Sequence, residues 1–237
     1  MSIKSNIPNL ITLSNLLFGC FSIIYAIKGD VTLSLLFIIL AAVMDFMDGF
    51  FARLLNAYSN LGKELDSLAD LVSFGVAPSF LIYFTLVDLN FSYPSIAFAV
   101  CLASAYRLAK FNVDTRQTYN FIGLPTPGNA LLIASMIHFS QNSNTNIIGH
   151  HYFILTAIII LSYLLVSEIP MFSLKFKDMS IKGNINKIVM IFFILIVSIF
   201  VIVFELPFSA APFFAIVFYL CFNLVFYIIN YKRELFS

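Results

Sequence analysis

Four aspartates in two close pairs are the residues of this sequence best suited to chemistry. Asp45 and Asp48 lie three residues apart, and Asp66 and Asp70 lie four apart, all within strongly apolar surroundings. A carboxylate near the middle of a bilayer costs about 2.5 to 3.5 kcal/mol on insertion scales. The four charges therefore need a cation, and Mg²⁺ and Mn²⁺ prefer carboxylate oxygens. The pairs predict a metal site, and a proton or ion pathway is the alternative.

Helical geometry places each pair on one face of its own helix. At 100° per residue, one narrow stripe contains two acids and two small residues, namely Asp45, Asp48, Gly49 and Ala52. Spacing by four gives a second stripe of Gly62, Asp66 and Asp70. Small residues leave room for a ligand, although close helix packing is the alternative interpretation. We expect a short turn between the two helices, which would bring the four carboxylates to one depth.

The composition of the whole chain is that of a membrane protein. Hydrophobic residues make up 61% of the 237 residues and charged residues 11%, outside the range of ordinary soluble domains. We predict an all-α polytopic bundle forming a single membrane domain over residues 1–237. The fifth apolar run is short, so the expected number of helices is about eight, with six to eight as the range. The runs that could span about 30 Å of hydrocarbon lie near 9–27, 31–55, 66–87, 93–113, 126–141, 150–167, 186–204 and 209–230.

The basic residues predict the orientation of the bundle. With an even number of helices and both termini cytoplasmic, all but one of the 13 Lys and Arg residues fall on the cytoplasmic side. The exception is Lys28. A formal net charge of +1 offers no argument for a nucleic-acid partner. Cys20, Cys101 and Cys221 lack the spacing of metal ligands and predict no disulfide.

The spacing of the acids resembles the signature of the CDP-alcohol phosphotransferase family. All fixed positions of that signature are present as Asp45, Asp48, Gly49, Ala52, Arg53, Gly62, Asp66 and Asp70. The resemblance implies that an alcohol hydroxyl attacks the lipid-side phosphorus of a CDP-linked lipid and expels CMP, with Mg²⁺ or Mn²⁺ as cofactor. It also implies a homodimer. A pattern this specific outweighs the ion-pathway interpretation.

The resemblance also assigns roles to individual positions. It implies that Asp45, Asp48, Asp66 and Asp70 bind the metal, and that Asp70 is also the general base for the hydroxyl. Arg53 would face a phosphate. Alternatively, its side chain lies at the end of the helix and only extends its charged group to the water at the membrane surface. Thr12 and Asn15 share a face of the first helix with Gly19 and are expected to contact the nucleotide or to bond neighbouring helices. The residues expected at the CDP-lipid are therefore Gly49, Ala52, Arg53, Gly62, Thr12 and Asn15.

Three further stretches resemble the membrane-integral phosphatidylserine synthase branch of the family, at residues 65–79, 106–112 and 121–128. With them the resemblance covers most of the motif-bearing core, residues 6–135. It implies transfer from CDP-diacylglycerol to L-serine within the cytoplasmic membrane, at a site facing the cytoplasm.

The acceptor itself predicts one more feature of the site. Serine carries a carboxylate, so its site needs a cation, and Arg107 and Lys110 share a helix face at i, i+3. Both residues could instead serve only as topology signals. Glycerol 3-phosphate or inositol is the alternative acceptor, and a metal-ion transporter is a distant alternative function.

Overall fold

Long apolar helices form most of the chain in a computed structural model, which describes residues 3–114, 121–142, 151–171 and 185–235. Within those ranges the helices are α1 (Ile3–Ile27), α2 (Val31–Leu54), α3 (Asn60–Asp70), α4 (Ala77–Asp88), α5 (Phe98–Val113), α6 (Thr126–Asn142), α7 (His151–Val166), α8 (Ile185–Val203) and α9 (Ala210–Leu235). A π-helix (Leu71–Val76) joins α3 to α4, and a 3₁₀ turn (Pro94–Ala97) precedes α5. The prediction of an all-α bundle is confirmed.

Five helical segments of the described chain are long and apolar enough to cross a membrane. These segments are Asn6–Ile27, Val31–Leu54, Asn60–Asp88, Pro94–Val113 and Ala210–Ile228. Two shorter apolar helices, His151–Val166 and Val189–Val203, accompany them. The helical segments lie close to the predicted runs because length and hydrophobicity are local properties of a sequence.

The third segment begins at Asn60, earlier than the apolar run that starts near residue 66. Ser59 explains the early start, because its Oγ accepts a hydrogen bond of 2.9 Å from the backbone N–H of Gly62 and caps α3. The turn between α2 and α3 contains Asn56 with φ 50°, a left-handed conformation that asparagine tolerates well. This short turn returns the chain so that the acidic ends of α2 and α3 lie side by side.

Helix α6 is a core helix, which explains why its sequence pattern is weak. Residues 132–138 are all buried, so α6 has no polar face from which an orientation could be predicted. His138 is buried within it, with Nδ1 2.8 Å from Oγ of Ser209, the residue before α9, and Nε2 3.1 Å from Thr32 Oγ1 of α2. Both ring nitrogens therefore have partners within the protein, which indicates a structural role for His138. Of the pair His150 and His151, the first lies outside the described residues and the second packs on the ring of Phe91.

A short antiparallel pairing connects the segment before α6 to the segment after α7. It joins β1 (Phe121–Ile122) to β2 (Pro170–Met171). The next residue, Gly123, has φ 74°, and a Cβ there would lie 2.8 Å from the carbonyl oxygen of Leu165. Glycine is therefore required at this turn for both conformation and space.

Helix α1 packs closely on the π-helix at Gly19. A Cβ at that position would lie 2.8 Å from Ser73 Cα, closer than side chains approach a backbone. Ser73 Oγ donates a hydrogen bond of 2.9 Å to the carbonyl oxygen of Asn15, one turn away on α1. The close approach thus holds the first helix against the segment that follows Asp70.

Replacing Gly19 by Ala is expected to destabilise the protein by about 1 to 3 kcal/mol, because the added methyl group forces α1 away from Ser73. The measurement is thermal unfolding of the purified protein in detergent. Gly128→Ala is the matched control, since a Cβ there would meet only the Leu124 side chain at 3.8 Å. Equal unfolding temperatures for the two variants would contradict the predicted close contact.

Candidate active site

Three carboxylates from α2 and α3 form an acidic triad. Asp45 and Asp48 come from the end of α2 and Asp66 from α3, and each offers one oxygen within 4.8 Å of the others. Asp48 is only 6% exposed. One oxygen of Asp66, Oδ1, is buried and has no hydrogen-bond partner in the described part of the chain. Clustered hard oxygens with an unsatisfied lone pair fit a divalent cation, which would offset the repulsion between the charges.

Asp70 lies one turn after Asp66 and outside this triad. It is 8% exposed, and its Oδ1 accepts a hydrogen bond of 3.2 Å from Asn15 Nδ2. Its charge interacts with those of Asp45 and Asp66 across the site. The bond to Asn15 therefore distinguishes Asp70 from the three acids of the triad and suits a different role, while its service as a fourth metal ligand stays a prediction.

Two polar residues of α1 orient the acids. Thr12 Oγ1 lies 2.6 Å from Asp48 Oδ2 as a hydrogen-bond donor, and Asn15 bonds Asp70 as described above. Both side chains are buried, at 3% and 0% exposed. Of the contacts expected from the sequence, those to neighbouring helices are present. The expected contact with a nucleotide remains a prediction, supported for Thr12 by its position on the wall of a cavity.

A cavity of about 220 Å³ opens beside the triad, between α1, the end of α2 and the start of α3. Six of the residues expected to act in the site line it, namely Thr12, Asp48, Gly49, Ala52, Gly62 and Asp66. Sequence reasoning missed Asn9, Tyr58, Ser59 and Lys63, which also line it. For Ser59 and Lys63, the sequence offered one indication of a place in the site, namely that they lie within three residues of Gly62 of the signature. Lys63 is exposed and its Nζ donates a hydrogen bond of 2.9 Å to the carbonyl oxygen of Asn112, so the groups of the cavity suited to an anionic ligand are the carboxylates, acting through a cation.

Close packing around Gly62 shapes one side of this cavity. A Cβ at Gly62 would lie 3.0 Å from both Asn9 Oδ1 and Ser59 Oγ. Arg53 is exposed and is not among the lining residues, although its guanidinium comes within 3.7 Å of the position that a Cβ on Gly49 would occupy. Its role as a phosphate contact therefore remains a prediction.

Arg107 lies buried on α5 and faces the acidic site. It is 7% exposed, its Nη1 is 3.5 Å from Thr126 Oγ1 of α6, and its Nε has no hydrogen-bond partner in the described chain. No carboxylate of the described residues lies within ion-pair distance of it. Its charge nevertheless interacts with Asp70 and with Tyr219 of α9. A buried guanidinium with so few partners is suited to binding an anionic group of a ligand.

Lys110 has different surroundings from Arg107, although the two share a helix face. Its Nζ lies 3.0 Å from Glu168 Oε1, in an ion pair whose side chains are 27% and 66% exposed. Pairs at this level of exposure contribute little to stability. The structure thus places the two expected acceptor residues unequally, with Arg107 buried and Lys110 paired with Glu168.

Comparison with known proteins adds independent information. The sequence matches the model of the CDP-alcohol phosphatidyltransferase family over residues 5–167, which includes α1 to α7. A CDP-diacylglycerol–serine O-phosphatidyltransferase of Helicobacter pylori is 33% identical, over 86% of this chain and 83% of the relative. The protein of the same name from Bacillus subtilis is 40% identical, over 69% of this chain and 88% of the relative. An archaetidylserine synthase of Methanothermobacter thermautotrophicus is 37% identical, over 54% and 56%.

Proposed function

The chain belongs to the CDP-alcohol phosphatidyltransferase family, and from this membership we propose that it transfers the phosphatidyl group of CDP-diacylglycerol to L-serine. The products are phosphatidylserine and CMP. The observation that carries the proposal is the buried Arg107 guanidinium, whose Nε has no hydrogen-bond partner in the described chain and whose charge interacts with that of Asp70, because it provides a carboxylate-binding cation for the acceptor. Relatives with serine O-phosphatidyltransferase names support the choice of acceptor.

The donor binds at the cavity and the acidic triad. Asp45, Asp48 and Asp66 would hold Mg²⁺ or Mn²⁺, and Asp70 is proposed as a further ligand. When bound, the divalent cation neutralises charge on the phosphoryl oxygens and on the departing CMP. Gly49, Ala52 and Gly62 leave space for the nucleotide beside the triad, and Thr12 keeps the Asp48 carboxylate aimed at it.

The acceptor approaches from the Arg107 side. Its carboxylate bonds the guanidinium, which can donate two parallel N–H bonds to a planar carboxylate. Asp70 takes the proton of the serine hydroxyl, and Asn15 holds the Asp70 carboxylate in position. The hydroxyl oxygen then forms a bond to the lipid-side phosphorus while the bond from that phosphorus to the CMP oxygen breaks. Arg107, Asp70 and Asn15 are buried, which limits the access of water to the groups that bind and deprotonate the acceptor.

The test of this function compares acceptors directly. Purified protein is incubated with CDP-diacylglycerol and Mg²⁺ or Mn²⁺, and labelled serine, glycerol 3-phosphate or inositol is added separately. We expect CMP release and labelled lipid with serine. A phosphorylated acceptor would require several cations to bind its phosphate. Among the described Lys and Arg residues, Arg107 is the one that is buried. Transfer to glycerol 3-phosphate or inositol instead of serine would contradict the proposed acceptor and retain the chemistry.

Replacing Arg107 by Ala is expected to raise the Michaelis constant for serine by about 30-fold or more, because a buried charged hydrogen bond is lost. The Michaelis constant for CDP-diacylglycerol should change little. Lys110→Ala is the matched comparison, one turn along the same helix. Its effect on the serine constant should be smaller, about fivefold at most, since Lys110 already pairs with Glu168 at the surface. Equal effects of the two variants would contradict the central position given to Arg107.

We also propose that the protein lies in the cytoplasmic membrane with its active site toward the cytoplasm, as a homodimer. The distribution of basic residues supports the orientation, and reporter fusions at both termini would contradict it if either terminus reported an external location. Family membership is what supports the proposed dimer. A monomeric mass for the active protein in lipid nanodiscs would contradict it.

A further inference from the structure

Asn129, a residue outside the set expected from the sequence, is buried without a partner. It lies in the first half of α6 and is 0% exposed. Neither its Oδ1 nor its Nδ2 has a hydrogen-bond partner in the described part of the chain. Buried polar side chains are almost always bonded, because each unmade bond is costly. A buried amide whose oxygen and nitrogen both lack partners in the described chain therefore indicates a ligand that carries both a hydrogen-bond donor and a hydrogen-bond acceptor.

Other unsatisfied atoms gather in the same region. Asn129 lies one turn after Thr126 on the same face of α6, and Thr126 contacts Arg107 of α5 at 3.5 Å. Ser104, one turn before Arg107, is 0% exposed and its Oγ also lacks a partner. Of the seven buried unpartnered side-chain atoms in the described chain, four belong to Ser104, Arg107 and Asn129. Ser104 and Arg107 share one face of α5, and Thr126 and Asn129 share one face of α6, so the Arg107–Thr126 contact links the two sets.

The second concentration of such atoms is the acidic site itself, with Asn15 Oδ1 and Asp66 Oδ1. Arg107 connects the two regions, since its charge interacts with that of Asp70. A small acceptor held by Arg107 can therefore present its hydroxyl toward Asp70 while its other polar groups face α5 and α6. In the described chain, unpartnered polar atoms are thus found both at the acidic site, where the CDP-lipid is proposed to bind, and around Arg107, where the acceptor is proposed to bind.

We propose that Ser104, Arg107 and Asn129 form the subsite that recognises the α-amino acid portion of the acceptor. Asn129 Oδ1 accepts a hydrogen bond from the ammonium group, while Asn129 Nδ2 and Ser104 Oγ donate to the carboxylate bound by Arg107. This inference rests on the proposed function and makes it more specific. A phosphorylated alcohol carries no ammonium donor, so it would leave the Asn129 oxygen unsatisfied.

The test measures serine and lipid kinetics for Asn129→Ala and Asn129→Leu. We expect the serine Michaelis constant to rise about tenfold or more, because bonds to charged groups are lost, with the CDP-diacylglycerol constant and Mn²⁺ binding unchanged. Ser135→Ala is the control, since Ser135 is buried on the same helix but bonds the Leu132 carbonyl. It should leave both constants as in the unmodified protein.

Thermal unfolding without substrates separates recognition from a merely structural role. Because Asn129 is unpartnered, Asn129→Leu should unfold at the same temperature as the unmodified protein or higher. A serine constant within twofold of the unmodified value would overturn the proposal, as would a parallel rise in both constants with a lower unfolding temperature. If the unmodified protein transfers only to an alcohol without an amino group, the proposed function fails first. Serine transfer that is indifferent to Asn129 would overturn this inference alone.

Discussion

Replacing Asp66 by Asn is expected to lower kcat by at least about 1000-fold, because several kcal/mol of charge stabilisation in the transition state is lost. The amide keeps the shape of the side chain but removes the negative charge that the triad supplies to a cation. Of the three acids, Asp66 gives the most direct test of the metal site, since its Oδ1 is buried and unpartnered in the described chain. The measurement pairs CMP release with Mn²⁺ binding followed by electron paramagnetic resonance, and both should fall.

The matched control for this substitution is Asp88→Asn, at the other end of the same continuous helical segment. Asp88 is exposed and lies at the end of α4, away from the triad. We expect the Asp88→Asn variant to bind Mn²⁺ and to turn over substrate as the unmodified protein does. Undiminished Mn²⁺ binding in the Asp66 variant would show that the triad is not the metal site, whatever the activity.

Asp70→Asn should also abolish most turnover, but for a different reason. A positioned general base contributes about 10² to 10⁴-fold to the rate, and an amide cannot accept the hydroxyl proton. Because the triad of Asp45, Asp48 and Asp66 is intact in this variant, CDP-diacylglycerol should still bind, and the Mn²⁺ affinity should fall much less than in Asp66→Asn even though Asp70 is proposed as an additional ligand. The measurement is single-turnover CMP release at saturating serine, alongside equilibrium binding of the CDP-lipid.

The two possible contributions of Asp70 give different results in this experiment. Unchanged turnover in Asp70→Asn would remove the residue from the role of base. A loss of Mn²⁺ affinity as large as that in Asp66→Asn would instead identify Asp70 mainly as a metal ligand. Loss of turnover with retained metal binding is the outcome that the geometry predicts, because Asp70 lies outside the triad and bonds Asn15.

Several residues of the site could not have been found from the sequence. Asn129 sits in a core helix with no polar face, so nothing local distinguishes it from a residue bonded within the bundle. Lys63 is one of several basic residues near a helix end, and its place on the cavity wall becomes visible only when α1 and α2 pack beside α3. Lys110 shares a helix face with Arg107, yet only the position of Glu168 separates their roles. Each distinction depends on side chains far away along the chain.

The sequence by itself determined the membrane class, the helices and the acidic signature. These features depend on hydrophobicity and on the 3.6-residue period, both of which act within one or two turns of a helix. Asp45 and Asp48 therefore had to share a face wherever α2 came to lie. Asp66 and Asp70 followed the same rule on α3.

Only the tertiary structure decided how those faces meet. The turn at Asn56 and the close contact of Gly19 with Ser73 bring α1, α2 and α3 together. This packing gathers three acids into a triad and leaves the fourth bonded to Asn15. It also leaves polar atoms of Arg107 and Asn129 without partners among the residues that the structure describes. Satisfaction of a buried polar group is a property of all the helices around it, and it can be assessed only when they are assembled.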